Sequence, residues 1–135
     1  MKEALHMLQI PSHPNNITVV EDLVKSVVTG NNLPEDMHGN ILISLTEAVT
    51  NAIVHGNCCD CNKNVVIHFS QQTNQLMFRI SDEGKGFNPE TLPDPTSPEN
   101  INTIGGRGVF LMRQLSDRLR FRDSGRTVEM HFRIC

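Results

Sequence analysis

Apolar residues in the first half of this chain recur at three- and four-residue intervals; in the second half they occupy alternate positions. Ahead of the first regime, Leu5, Leu8 and Ile10 mark a short strand over about residues 4–10, stopped by Pro11. Ser12 and Asn15 then offer helix N-caps, and Pro14 suits a helix entrance. Over residues 16–29 the positions Ile17, Val20, Val24, Val27 and Val28 predict one helix, ended by Gly30. Pro34 opens a second, longer helix reaching about His55. Its apolar stripe is Ile41, Leu42, Leu45, Ala48, Val49, Ala52 and Ile53.

From there the period is two. Val65, Ile67 and Phe69 alternate with Val66 and His68, and Leu76, Phe78 and Ile80 with Met77, Arg79 and Ser81, with residues 71–74 as the hairpin loop. Residues 84–104 contain Pro89, Pro93, Pro95 and Pro98 and few large apolar side chains. Such long irregular stretches inside a domain are usually lids or binding loops. A third helix follows over residues 109–115. Two strands close the pattern: Leu119 and Phe121 between Arg118, Arg120 and Arg122, then Val128, Met130, Phe132 and Ile134 between Thr127, Glu129, His131 and Arg133. Alternation with one apolar face predicts an α/β (α+β) two-layer sandwich: a mixed, mostly antiparallel sheet with helices on one face and water on the other.

With 135 residues and no internal repeat, residues 1–135 are expected to form a single domain. A net charge of −3 and the lack of any Lys/Arg run give no footprint for nucleic acid or a membrane surface. No apolar signal region opens the sequence and no apolar stretch nears membrane-spanning length, so a cytoplasmic location is expected. Three of the four cysteines stand together in Cys58-Cys59-Asp60-Cys61. This is no secreted disulfide framework, and it lacks the paired Cys-x-x-Cys spacing of a zinc site even with His55 nearby. Reduced loop thiols are expected. Without Trp or Tyr the core is aliphatic and base-stacking platforms are disfavoured.

Three segments carry candidate chemistry. In the second helix, Glu47 and Asn51 lie about 40° apart on the helical wheel, at the flank of the apolar stripe, with Ser44 and His55 nearby. An Asn carbonyl oxygen suits Mg²⁺, and a carboxylate one turn away suits proton abstraction from an attacking hydroxyl or water. Taken alone, the pair reads as a solvated acid and a surface amide. Asp82 shares the parity of Leu76, Phe78 and Ile80, so its carboxylate points to the core side, where a charge needs a partner. The amino group of adenine is one such partner, with Gly84 and Gly86 leaving room for the base; a plain loop cap is the other reading. Gly105, Gly106 and Gly108 run into the third helix and form an anion-binding concavity, with Arg107 placed for a terminal phosphate. The alternative is a flexible loop with an exposed arginine. The spacing matches neither a P-loop nor a Rossmann fingerprint. The six histidines (His6, His13, His38, His55, His68, His131) show no ligand spacing. Arg118, Arg120 and Arg122 form a solvated strand face or a surface for an acidic protein.

In this order the segments resemble the GHKL ATP-binding superfamily, whose fold is the Bergerat type. Residues 45–57 look like its N box, Asp82-Glu83-Gly84-Lys85-Gly86 like its first glycine box, and Gly105-Gly106-Arg107-Gly108 like its second. The strings Glu47-Ala48-Val49-Thr50-Asn51-Ala52, His55-Gly56 and Gly106-Arg107-Gly108-Val109-Phe110-Leu111-Met112 are most similar to the small anti-sigma factor serine kinases of bacterial stress and sporulation control. The resemblance runs from about Ile17 to Ile134. It implies ATP and Mg²⁺, with Glu47 as general base, Asn51 as metal ligand and Asp82 as the adenine-reading acid. Gly84 and Gly86 would line the base pocket, Gly105, Gly106 and Gly108 would close over the phosphates, and Thr127 would help hold adenine through water. It also implies an anti-anti-sigma (STAS-type) partner carrying the acceptor serine, a sigma factor as second partner, a homodimer, and a first helix belonging to the surface used for dimer or partner contact, with no direct contact to nucleic acid. The proline-rich stretch over residues 87–104 departs from the family pattern, and the cysteine cluster has no counterpart role. Two other readings are a non-catalytic ATP/ADP switch and a detached histidine-kinase catalytic domain. Glu47 weighs against the first, since binding alone needs no base. The lack of a preceding phospho-acceptor helix, and this acid-Ala-Val-Thr-Asn string, weigh against the second.

Overall fold

The computed structural model describes residues 4–85 and 106–134. Strand β1 (Ala4–Pro11) leads through a 3-10 turn at Pro14–Asn16 into α1 (Ile17–Asn31) and α2 (Glu35–Asn51). Strands β2 (Asn64–Gln72) and β3 (Gln75–Ser81) form a hairpin about Thr73 and Asn74, and α3 (Gly106–Leu115) precedes β4 (Arg118–Arg122) and β5 (Thr127–Arg133). Among the described residues the strands make one sheet in the order β1-β2-β3-β5-β4, and every pairing is antiparallel. The expected mixed sheet is therefore corrected to a purely antiparallel one. The reason lies in the connections: tight turns join β2 to β3 and β4 to β5, and two helices rather than one separate β1 from β2. The chain so returns where β1 ended, and Pro11 pairs with Asn64.

The two layers meet in an aliphatic core. Val20, Val24 and Val27 of α1, Ile41, Leu45, Ala48 and Val49 of α2, and Val109 and Met112 of α3 are buried against Ile67, Leu76, Ile80, Val128 and Met130 of the sheet. Phe78 lies at the centre, with its ring centroid 4.9 Å from that of Phe69 and 6.0 Å from that of Phe132. Helix α2 packs against both other helices.

Several local boundaries differ from the sequence reading. Gly30 lies inside α1; the chain leaves the helix through Asn32, in the left-handed conformation (φ 51°, ψ 44°) that asparagine tolerates. Ser12 is wholly buried and donates to the Lys63 carbonyl at 2.7 Å rather than capping a helix. His13 caps instead, its Nδ1 accepting from the Asn15 N–H at 3.0 Å. The α-helical bonds of α2 end at Asn51, and Ala52–Gly56 forms a π-helical turn, closed by the Asn57 N–H on the Ala52 carbonyl at 2.8 Å. Such insertions often sit at functional sites.

On the face away from the helices, Arg118, Arg120 and Arg122 are exposed as expected. Glu129, on the same face, is only 4 % exposed. Its Oε2 accepts from Arg79 at 2.9 and 3.1 Å and lies 3.3 Å from Arg122 Nε, and its Oε1 lies 3.0 Å from His131 Nε2.

Candidate functional site

Helix geometry alone places Glu47 and Asn51 on one flank of α2, both half-buried. The first turn of α3 comes down on that flank. A Cβ built on Gly108 would lie 2.9 Å from Asn51 Nδ2, 3.0 Å from Glu47 Oε2 and 3.5 Å from Asn51 Oδ1. The absent side chain is what lets the glycine-rich start of α3 close against an acid and an amide. Arg107, one residue earlier, is exposed. Gly106 is the first residue of α3, so its N–H and those of Arg107 and Gly108 are the helix-terminal donors that have no intrahelical acceptor. Ser44 differs from its sequence placement near this rim: it is wholly buried and its hydroxyl has no partner among the described residues.

The second half of the site forms at the end of β3. Asp82 is half-buried, and its carboxylate lies directly on Gly56, so that a Cβ on Gly56 would overlap its Cγ and both oxygens. Gly84 lies against the Gly56 backbone in the same way. The π-turn thus carries Gly56 under the Asp82–Gly84 turn. Asp82 Oδ1 accepts from the Gly84 N–H at 2.7 Å, closing an Asx turn. Burial pushes the Asp82 carboxyl above its ordinary range, an effect that outweighs the opposing Gly84 N–H and Arg126 charge. A carboxyl so placed gains from an incoming donor.

The remaining expected residues divide. Gly86 and Gly105, with Pro89, Pro93, Pro95 and Pro98, lie outside the described residues. Thr127 is buried at the start of β5 and donates to Asp123 Oδ2 at 2.8 Å while standing 3.0 Å from Ser81 Oγ. Its hydroxyl is thus occupied on the strand parity of Glu129, not that of the core. Cys58, Cys59 and Cys61 are exposed free thiols, the first two at φ 52° and 57°. Among the described residues no group of three or more His, Cys, Asp or Glu side chains is placed to hold a metal ion.

Sequence reasoning gave no role to Gly56 or Asn57, although both stand in the N-box string. The π-turn that aims them breaks the 3.6-residue period on which helical-wheel reading depends.

The family can now be read from comparison. Residues 10–132 match the family described as Histidine kinase-like ATPase domain. The chain belongs to that family. The GHKL resemblance carried by the N box and glycine boxes is borne out, and so is the α+β fold expected of it. Within this ATPase family the chain is similar to the serine-protein kinase RsbW of Staphylococcus aureus strains JH9 and Newman. Each is 28 % identical over 137 residues, covering 96 % of this chain and 86 % of the relative. Its fold is similar to the crystal structure of the RsbU and RsbW domains of Rv1364c from Mycobacterium tuberculosis. The TM-score is 0.70 at 12 % identity, covering 97 % of this chain and 32 % of that one. No helix among the described residues is long and apolar enough to cross a membrane.

Proposed function

We propose that this chain is an ATP-dependent protein-serine kinase of the anti-sigma type. It transfers the γ-phosphoryl group of ATP to a serine of an anti-anti-sigma (STAS-type) protein and sequesters a sigma factor. It does so as a cytoplasmic homodimer in which residues 1–135 act as one domain. One observation carries the reading: Glu47 and Asn51 meet the glycine start of α3 at contact distance, so a base, a hard oxygen donor and helix-terminal N–H groups converge. The similarity to serine-protein kinases of Staphylococcus aureus supports the same chemistry.

In this reading Asp82 accepts a hydrogen bond from the adenine amino group, over a floor made by Gly56 and Gly84, with Gly86 lining the pocket. The triphosphate runs toward Gly105, Gly106 and Gly108, where the N–H groups and the positive helix end favour anions. Arg107 meets the terminal phosphate, and Thr127 supports the adenine end through water. The oxygen donors beside Gly108 fit Mg²⁺; Asn51 Oδ1 would hold it, and the ion would neutralise charge on the phosphate oxygens. Glu47 takes the proton of the acceptor serine hydroxyl as its oxygen bonds to the γ-phosphorus and the bond to ADP breaks.

The test separates the two α2 residues. Asn51→Ala should lower Mg²⁺-dependent ATP binding and transfer together. Glu47→Gln keeps the shape and should retain binding while transfer falls by roughly 10²–10⁴-fold. Radiolabelled ATP with a cognate anti-anti-sigma protein reads transfer, and calorimetry reads binding. A wild type that binds ATP but labels no serine replaces the kinase with a nucleotide-dependent switch, and a Glu47→Gln variant that transfers at the wild-type rate removes Glu47 as the base.

A further inference from the structure

A side-chain amide beside the site is wholly buried. Asn57 is 0 % exposed, and its side chain joins three segments distant in sequence. Nδ2 donates to Ser12 Oγ at 2.8 Å and to the Asn64 carbonyl at 3.0 Å, and Oδ1 accepts from the Glu83 N–H at 2.7 Å. The orientation of the amide follows from these partners, since a backbone N–H can only donate and a backbone carbonyl only accept. The polar capacity of Asn57 is therefore divided by direction. Its nitrogen holds the scaffold at the ends of β1 and β2; its oxygen holds the turn after β3.

That turn is fixed through three consecutive N–H groups. Asp82 donates to the Arg126 carbonyl at 2.9 Å, Glu83 to Asn57, and Gly84 to Asp82 Oδ1. The middle bond is the one made by a side chain from another element. A second strut acts on the same residue: the Asn64 N–H donates to Glu83 Oε2 at 2.6 Å. Asn57 also follows Gly56 directly, and Gly56 is the floor under both Asp82 and Gly84. Floor and clamp thus come from adjacent residues, delivered together by the π-turn.

We propose that Asn57 is a positioning residue that sets the base specificity of the site: its Oδ1 holds the Asp82–Gly84 turn at the height where Asp82 meets adenine. This rests on the nucleotide reading above and deepens it. The phosphate-binding end is built separately, from Glu47 and Asn51 on α2 and the start of α3, and Asn57 shares no hydrogen bond with it among the described residues. Releasing the clamp therefore disturbs recognition of the base and spares recognition of the phosphates. A merely structural asparagine would weaken both alike.

Calorimetric affinities of the full chain for Mg²⁺ complexes of ATP, GTP and inorganic triphosphate distinguish these cases. Asn57→Ala should reduce the ATP-to-GTP preference by about tenfold or more, the scale of one charge-assisted hydrogen bond, with triphosphate affinity within about twofold of wild type. Ser12→Ala, which removes a scaffold partner of the same amide, should lower the melting temperature and leave the preference unchanged. Asn57→Asp keeps the acceptor atom and should restore the preference. If Asn57→Ala does not fold, Asn57→Asp decides alone: a wild-type preference despite reduced stability supports the assignment, and a collapsed one overturns it. Equal loss for all three ligands in Asn57→Ala, or a preference that survives it, overturns the inference alone. A wild type that binds ATP and GTP equally overturns the adenine reading of Asp82 and this inference with it.

Discussion

Gly84 stands so close to Gly56 that a Cβ on Gly84 would lie far inside van der Waals contact distance of the Gly56 carbonyl oxygen. Both partners are backbone, so neither can swing aside. Gly84→Ala should therefore lower stability by about 1–3 kcal/mol, the usual scale of overpacking, and reduce ATP affinity as the turn is pushed off its floor. Denaturant titration and calorimetry measure the two effects. Gly39→Ala is the control: it lies inside α2 with nothing within 4 Å of the added atom, and should stabilise by about 0.5–1 kcal/mol.

Gly108→Ala meets a different kind of neighbour. The atoms it approaches, Asn51 Nδ2 at 2.9 Å and Glu47 Oε2 at 3.0 Å, are the ends of side chains that can rotate. The fold should accommodate the methyl group with a stability change within about 1 kcal/mol. Phosphoryl transfer should fall by about 10²-fold, because the proposed base and metal ligand are displaced by a fraction of an ångström to an ångström. A parallel melting curve and transfer assay on one preparation test the split.

Asp82→Asn opposes stability to binding. Burial raises the folded carboxyl above its unfolded value, so the folded state holds the proton to higher pH, and the contribution of Asp82 to stability declines as pH rises through that window. Burial penalises the ionised form. The amide variant removes the charge, keeps an acceptor for the Gly84 N–H, and should be no less stable than wild type. Its ATP affinity should drop by about 10- to 100-fold, since a charged acceptor for the adenine amino group is lost. Higher stability with undiminished ATP binding would leave Asp82 without a role in reading the base.

The alternation of apolar positions was enough to place β2 to β5, because a pleated strand states its buried face locally. The pairing of Glu47 with Asn51 was equally legible, since one α-helical turn brings them together whatever surrounds them. What remained hidden depends on remote partners. Asn57 is buried only because Ser12, Asn64 and Glu83 converge on it from three segments. Gly56 reaches Asp82 only because five residues adopt a π-turn that no periodicity announces. Glu129 shares the parity of the water face and reads as exposed, yet Arg79, Arg122 and His131 lie across it. Their long side chains bury an acid that its own strand leaves open.

That cluster sets a pH dependence of opposite sign to that of Asp82. Burial raises the Glu129 carboxyl, but hydrogen bonds from His131 and Arg79 and the charges of Arg79 and Arg122 outweigh it and hold the group below its ordinary value of 4.5. Its stabilising contribution is full above the unfolded value and is lost as pH falls through the folded one. Acid titration of the wild type should show this loss below about pH 4.5. Glu129→Gln should be less stable at pH 7 by about 1–3 kcal/mol and flatter across the acid window. Identical acid slopes in the two proteins would remove Glu129 from the account.

The strand order also governs when the sheet can be assembled. β1 pairs only with β2 among the described residues, and α1 and α2 both lie between them. During synthesis the apolar edge of Leu8 and Ile10 emerges first and waits, unpaired, until two helices have followed it. At the other side, β3 gains its second neighbour only when β5 has been made. The centre of the sheet is therefore an open edge from the completion of β3 at Ser81 until β5 has been made, a template for mispairing with other chains in that interval.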